Sequence, residues 1–273
     1  MKPATPLTLH PAPRTRFVST WLASRPAEVG ASLTLGSKWG YEYTAGWRVQ
    51  VGDGEAHEVK KHTLEQLEKQ AAETAALLPG LSLYQIHSTT EESGVLENEP
   101  VLAAIAALRD GALTAAPGAK WAPGLSVSSP QLPAIERAVA LQQGGAPLFA
   151  SVQATFNVFD QSAAGALRAA HEAGMVVIIK EAMANGRVLE SELLRTEAQR
   201  LGTSVDALAL AWVMSHDWVD ICLSGAATVD HLRSNAEALK LVPLPADVQT
   251  RLAEGLRQDP EEYWAERKCL AWT

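Results

Sequence analysis

Cysteine is scarce in this chain: Cys222 and Cys269 are the only two among 273 residues. Two cysteines so far apart build neither a disulfide framework nor a paired-cysteine metal site, so a reducing cytoplasm is the expected compartment. The sequence also lacks a His, Cys or carboxylate cluster with metal-ligand spacing, and we expect no metal.

Basic residues are outnumbered by acidic ones, and the net charge is -8 at pH 7. A surface that follows nucleic-acid phosphates must be strongly basic, so nucleic acid is not an expected partner. No apolar run approaches the length needed to cross a bilayer, and the first residues lack the apolar core of a signal peptide. The expectation is a soluble protein that does not bind membranes.

Short apolar runs alternate with longer amphipathic stretches along most of the chain. The runs predict strands at Ser32–Ser37, Leu81–His87, Lys120–Ser126, Leu148–Phe156, Met175–Lys180 and Val219–Ser224. The stretches predict helices at Thr15–Ala23, His57–Leu78, Pro100–Asp110, Gln131–Gln142, Gln161–Ala173, Ser191–Arg200, Ser204–Ser215 and Val229–Leu239. This alternation is typical of parallel strands joined by helices, in one domain over residues 1–273 whose residues 1–14 carry little pattern.

Polar residues occur where the predicted strands end. They are Lys38, His87, Ser126, Gln153, Lys180 and Ser224. A closed barrel of parallel strands places all carboxyl ends on one face, so we expect these residues to meet at one mouth. No GxGxxG follows a strand, which disfavours an open dinucleotide-binding sheet.

Five segments, in this order, resemble the aldo-keto reductases. They are LGSKWG (35–40), LYQIHS (83–88), GLSVSS (124–129), VQATFNVFD (152–160) and LSGAATVDHLRSNAEAL (223–239). The resemblance implies an α/β fold of the TIM (β/α)8-barrel type, incomplete at its N-terminus because the first βα unit and most of the second strand have no counterpart. It also implies hydride transfer from NADP(H) to an aldehyde or ketone, a small-molecule carbonyl substrate.

The resemblance also assigns roles to individual residues. Lys38 and His87 correspond to catalytic residues, since a lysine raises the acidity of a nearby tyrosine and a histidine orients the carbonyl. Ser126 and Gln153 correspond to residues that hold the nicotinamide carboxamide. Lys180 stands where many relatives have a tyrosine that stacks on the nicotinamide, which a lysine cannot do.

The remaining cofactor candidates lie in and before the last predicted helix. The loop from Gly225 to Thr228 precedes a helix, where free backbone N–H groups favour a phosphate. The resemblance places His231 near the 2′-phosphate, with Arg233 as a second candidate, and Asn235 near the adenine. Gly186 is assigned to the same cofactor site, and the preference for NADP over NAD is mild.

The family's catalytic tyrosine and aspartate have no counterpart, because their positions fall on Pro11 and Pro6. The implied activity is therefore weak or absent. One hypothesis is a fragment or a late start. Another is a substitute acid, Tyr41 or Tyr43, although these residues and Trp47 are also typical of a substrate loop.

The sequence supports two further predictions, one about an alternative function and one about the exposure of three glutamates. A non-catalytic, cofactor-binding or regulatory protein is the alternative function, because the cofactor segments are present while the acid is not. Glu181, Glu190 and Glu192 are expected on a solvated face of the molecule.

Overall fold

The computed structural model describes residues 13–45, 48, 50–52 and 54–270. These residues divide into two compact units, one formed by the chain up to His87 with Asn98–Pro123, and the other by Ser88–Glu97 with Gly124 onwards. The predictions made for Pro6, Pro11 and Trp47 lie outside the described residues.

In its described residues the first unit has five helices and strands before residue 61, followed by two more helices and a second parallel strand. Its elements are α1 (Pro13–Ala23), α2 (Ala27–Ala31), β1 (Leu35–Trp39), β2 (Tyr41–Glu42), β3 (Val59–Lys60), α3 (Leu64–Leu77), β4 (Leu81–Thr89) and α4 (Glu99–Arg109). Strands β1 and β4 pair in parallel, and β2 and β3 pair as a short antiparallel ribbon. The last two residues of β4 belong to the second unit.

Two sequence predictions in this unit were wrong at their boundaries. The helix expected from His57 begins only at Leu64, because Val59–Lys60 pairs with β2 and Thr63 caps the helix by accepting a hydrogen bond from the Gln66 N–H. The strand expected from Ser32 begins at Leu35, since Ser32 closes α2 with its backbone N–H on the carbonyls of the preceding turn.

The second unit continues the alternation of strands and helices. Its elements are β5 (Ala122–Val127), α5 (Leu132–Ala140), β6 (Gln142–Gln143), β7 (Ala146–Pro147), β8 (Ser151–Thr155), α6 (Ala164–Glu172), β9 (Val176–Lys180), α7 (Glu192–Leu201), α8 (Val205–Met214), β10 (Ile221–Cys222), α9 (Val229–Ala236), α10 (Ala246–Leu256) and α11 (Pro260–Lys268), with β5 starting two residues earlier in the first unit. Strand β8 pairs in parallel with β5 and with β9, and β9 pairs in parallel with β10.

Helix α8 shows how the core of this unit is closed. Its residues from Ala207 to Val213 are all buried, so the helix is apolar on every side. The Trp212 ring stacks on Phe156 of the segment after β8 at 5.2 Å between ring centroids. The buried side chains of α8 pack against one face of the strands, so polar residues can occupy the opposite face.

The six predicted main strands are confirmed among the described residues, with ends that differ from the predicted ones by up to three residues, and so is the α/β class. Helices α10 and α11 were not predicted. None of the helices described is both long enough and apolar enough to cross a membrane.

Candidate active site and cofactor cavity

Lys38 and His87 share one face of the β1–β4 pair. The register sets Lys38 opposite Gln85, and His87 follows Gln85 by two residues, so the three side chains alternate onto the same face. Tyr84 lies on the other face, where its ring packs against Trp121 at 5.0 Å. The structure thus brings the two predicted catalytic residues together within the first unit, while their catalytic role stays a prediction.

Lys38 is half-buried and has no carboxylate partner among the described residues. Burial lowers the pKa of Lys38, because removing the amine from water penalises its charged form. This environment differs from the lysine–aspartate pair that the family resemblance implies.

A second histidine, His62, holds the backbone that carries His87. Its Nε2 lies 2.8 Å from the His87 carbonyl oxygen, and since a carbonyl only accepts, Nε2 carries the proton. Nδ1 is buried without a hydrogen-bond partner in the described part of the chain. Burial lowers the pKa of His62 to about 4, so the ring is neutral near pH 7.

Gly40 makes room for this histidine. Its φ of +116° lies in a region that side chains rarely adopt, and a Cβ built there would stand 2.6 Å from His62 Cδ2. The Trp39 ring meets the His62 ring edge-on at 5.8 Å. The sequence offered no signal for His62, because its partner lies 25 residues away in another element.

Ser126 and Gln153 face each other across the β5–β8 pair. They are direct register partners, and both are almost fully buried. Further along β8, Thr155 is paired with Lys180 of β9. Because Phe156 points to helix α8, the alternation puts Gln153 and Thr155 on the opposite face of β8. The predicted carboxamide ligands are thus adjacent, and Lys180 lies one strand and two residues further along.

A cavity of about 430 Å³ opens at the carboxyl ends of β9 and β10. Four of the predicted cofactor residues line it: Gly186, Gly225, His231 and Asn235. Ser126, Gln153 and Lys180 do not line it, and Thr228 instead caps α9 by accepting a hydrogen bond from the His231 N–H at 3.1 Å. Four of the predicted cofactor residues thus share one cavity, while their role in cofactor binding stays a prediction.

Ser224, directly before the loop that begins at Gly225, orients the side chain of Asn235. Its amide nitrogen donates to the carbonyl oxygen of Ser224 at 3.0 Å and to the Ser224 hydroxyl at 2.9 Å. Those contacts use the amide as a donor, which leaves Oδ1 to accept a hydrogen bond from an amino group. An adenine amino group has this donor chemistry.

The charges around the cavity are mixed. Asp206 and Glu181 line it together with His231. Arg233, the second phosphate candidate, does not line it and pairs with Asp230 at 3.3 Å on the exposed side of α9. Among the described cavity residues, His231 is thus the side chain able to add positive charge toward a phosphate.

Glu181 does not lie on a solvated face, and that prediction was wrong. Its side chain is 13% exposed, and Arg267 of α11 donates to Glu181 Oε1 at 2.6 Å. Asn157 donates to the Glu181 carbonyl and to the Tyr263 hydroxyl, both at 2.9 Å. Helix α11 is therefore fastened to the cavity wall by residues 86 or more positions apart, which sequence spacing does not connect.

The parallel strands and the helices between them define an α/β fold of the (β/α) type. The aldo/keto reductase family model matches residues 33–256, most of the chain. The protein belongs to the aldo/keto reductase family. No curated protein matches the chain significantly.

Solved structures show the same fold. The holo form of aldo-keto reductase AKR11C1 from Bacillus halodurans is 17% identical with a TM-score of 0.65, covering 88% of this chain and 77% of that one. Its apo form is 17% identical with a TM-score of 0.62, covering 89% and 77%. The thermostable aldo-keto reductase Tm1743, solved with the inhibitor epalrestat, is 19% identical with a TM-score of 0.60, covering 88% and 76%.

The fold class predicted from the sequence is confirmed by these matches, as an incomplete barrel of the (β/α)8 type. The part of the chain that the structure describes supplies six main strands where a complete barrel has eight. The meeting of Lys38, His87 and the loop before α9 around one cofactor stays a prediction. No three His, Cys, Asp or Glu residues within the described ranges form a metal-binding group.

Proposed function

We propose that this protein binds NADP(H) and reduces an aldehyde or ketone to an alcohol, at a rate far below that of a complete catalytic set. The observation that carries the proposal is the cavity of about 430 Å³ lined by Gly186, Gly225, His231 and Asn235. Its volume is in the range of small-molecule sites, and it adjoins the first turn of α9. Family membership supports the same reading.

The residues of this cavity fit the nucleotide half of such a cofactor. Backbone N–H groups of the first turn of α9 and the His231 side chain would bind phosphate, and Asn235 Oδ1 would accept from the adenine amino group. Ser126 and Gln153 would hold the carboxamide of the other half. When bound, the reduced nicotinamide supplies hydride to the carbonyl carbon.

The chain's own residues then act on the carbonyl oxygen. His87 would donate a hydrogen bond to it and fix its orientation, since a neutral imidazole needs no charge to donate. Lys38 would add positive potential from the same face of the strand pair. No carboxylate among the described residues pairs with Lys38, and prolines stand at positions 6 and 11 in place of the family's aspartate and tyrosine. A substitute acid would therefore act without the lysine–aspartate pair that raises its acidity, and the rate we propose is low.

Cofactor binding is tested by titrating tryptophan fluorescence with NADPH and with NADH. We expect His231→Asn to weaken NADPH binding about tenfold and NADH binding little, since one charge-assisted contact to phosphate contributes about 1.4 kcal/mol. Arg233→Gln is the matched control on the same helix, because that guanidinium pairs with Asp230 away from the cavity. Absence of binding of either nucleotide to the wild-type protein would refute the proposal.

A non-catalytic cofactor-binding or regulatory role is the second candidate. The observation that favours it is Pro11 and Pro6 in place of a catalytic tyrosine and aspartate. It predicts NADPH binding with no reduction of 4-nitrobenzaldehyde above the rate without protein. Slow but measurable turnover favours the reductase, whereas fast turnover would contradict the low rate proposed above. A cytoplasmic location and a small carbonyl compound as substrate belong to the same proposal.

A further inference from the structure

Tyr41 stands directly beside the predicted catalytic histidine. The Tyr41 and His87 rings lie 4.9 Å apart between centroids and meet at 69°, an edge-on contact. Both side chains are half-buried, so both remain partly accessible to solvent. Tyr41 begins β2, three residues after Lys38, and all three residues belong to the first unit.

Helix α3 fixes the backbone of Tyr41. The side-chain amide of Gln66 donates to the Tyr41 carbonyl at 3.1 Å, and that of Gln70 donates to the same oxygen at 3.0 Å. The N–H of Gly40 donates in turn to Gln70 Oε1 at 2.8 Å. Two glutamines one helical turn apart therefore hold the corner between β1 and β2.

The backbone of His87 is fixed as firmly. The hydrogen bond from His62 Nε2 to the His87 carbonyl restrains the end of β4. A phenol and an imidazole are thus presented side by side from two restrained backbone positions. Such preorganised donors favour binding of a substrate oxygen, because their side chains lose little conformational entropy when the substrate binds.

We propose that Tyr41 is the proton donor to the substrate's carbonyl oxygen and shares that oxygen with His87, an inference that rests on the reductase function proposed above. The carbonyl carbon gains a C–H bond from the hydride of reduced nicotinamide, which is thereby oxidised, and the C=O π electrons move to oxygen. As the alcohol O–H bond forms, the Tyr41 Oη–H bond breaks. The phenolate regains its proton from water.

The first experiment reads the Tyr41 contact without turnover. The protein has four tyrosines, so labelling them with ¹³C at Cζ gives four resonances, and Tyr41→Phe assigns one of them. We expect 4-nitrobenzaldehyde to shift the Tyr41 resonance both alone and with NADP⁺, which cannot deliver hydride. We also expect His87→Ala to diminish the shift. An unmoved Tyr41 resonance at millimolar aldehyde overturns the proposal.

The second experiment separates a proton donor from a surface that only contacts substrate. Tyr41→Phe should lower kcat about tenfold or more while KM changes little, because general acid catalysis acts in the transition state. A rise in KM at constant kcat, or a loss of kcat in Tyr43→Phe and not in Tyr41→Phe, overturns the assignment. Failure of the wild-type protein to bind NADP⁺ would refute the reductase function itself, while the aldehyde-only spectrum still reports on Tyr41.

Discussion

Replacing Gly40 by alanine tests the contact on which the end of β4 depends. A Cβ at this position would stand 2.6 Å from Cδ2 and 2.8 Å from Nε2 of the His62 ring, and the backbone has φ +116°. The backbone strain costs about 1–3 kcal/mol. The His62 ring must also move, which endangers a hydrogen bond whose net contribution is about 0.5–1.5 kcal/mol.

Gly54 supplies the matched control. It also has positive φ, +81°, but a Cβ there would meet no atom within 4 Å. Gly54→Ala should therefore cost about 1–2 kcal/mol from backbone conformation alone. Gly40→Ala should cost about 3 kcal/mol, and with a urea slope of about 2–3 kcal/mol/M its unfolding midpoint should fall by about 1 M.

A double-mutant cycle attributes the difference to the ring. In a His62→Ala background the added Cβ of Gly40→Ala has room, so its cost should fall to that of Gly54→Ala, with a coupling of about 1–2 kcal/mol. The measurement is urea unfolding followed by circular dichroism. Equal costs for Gly40→Ala and Gly54→Ala, or a cost of Gly40→Ala unchanged by His62→Ala, would show that the close approach does not restrain this corner.

The pKa of His62 is lowered to about 4 by burial, so its contribution to stability is complete above its unfolded value near 6.5 and is lost as the pH falls toward 4. We expect about 3 kcal/mol of acid-dependent loss in urea unfolding that disappears in His62→Gln. Arg267→Met should destabilise the protein by about 1–2 kcal/mol, since Glu181 is left partly buried and unpaired, and Arg267→Lys should recover part of it; no change in Arg267→Met would contradict the pairing. Thr228→Ala should cost about 1 kcal/mol and Thr228→Ser less, because the hydroxyl caps the His231 N–H; equal values for both would count against the cap.

Most of the fold could be predicted because its strands are short, apolar and bounded by turns. The runs ending at His87 and Lys180 are strands in the structure. Helix α11 was missed, although Asp259 followed by Pro260 is a common helix start, and the structure shows Asp259 capping the helix. The error at His57 arose because amphipathic spacing continued into a segment that tertiary pairing with β2 holds extended.

Some features of the candidate site could likewise be predicted from the sequence, whereas others could not. Lys38 and His87 lie near the carboxyl ends of β1 and β4, so their shared face follows from strand geometry once the pairing is known. His62, Glu181 and Arg267 contribute through contacts 25 to 86 residues apart in sequence. Such contacts depend on how elements pack, and local pattern carries no information about them.

The attachment of helix α11 is coupled to ligand binding in the cavity through Glu181. Glu181 lines the cavity and is also the anchor for Arg267, so a ligand that draws this carboxylate away from Arg267 loosens the helix. By reciprocity, detaching the helix must change the affinity of that ligand by the same factor. The rate at which a protease cleaves the C-terminal helix would then report on cavity occupancy.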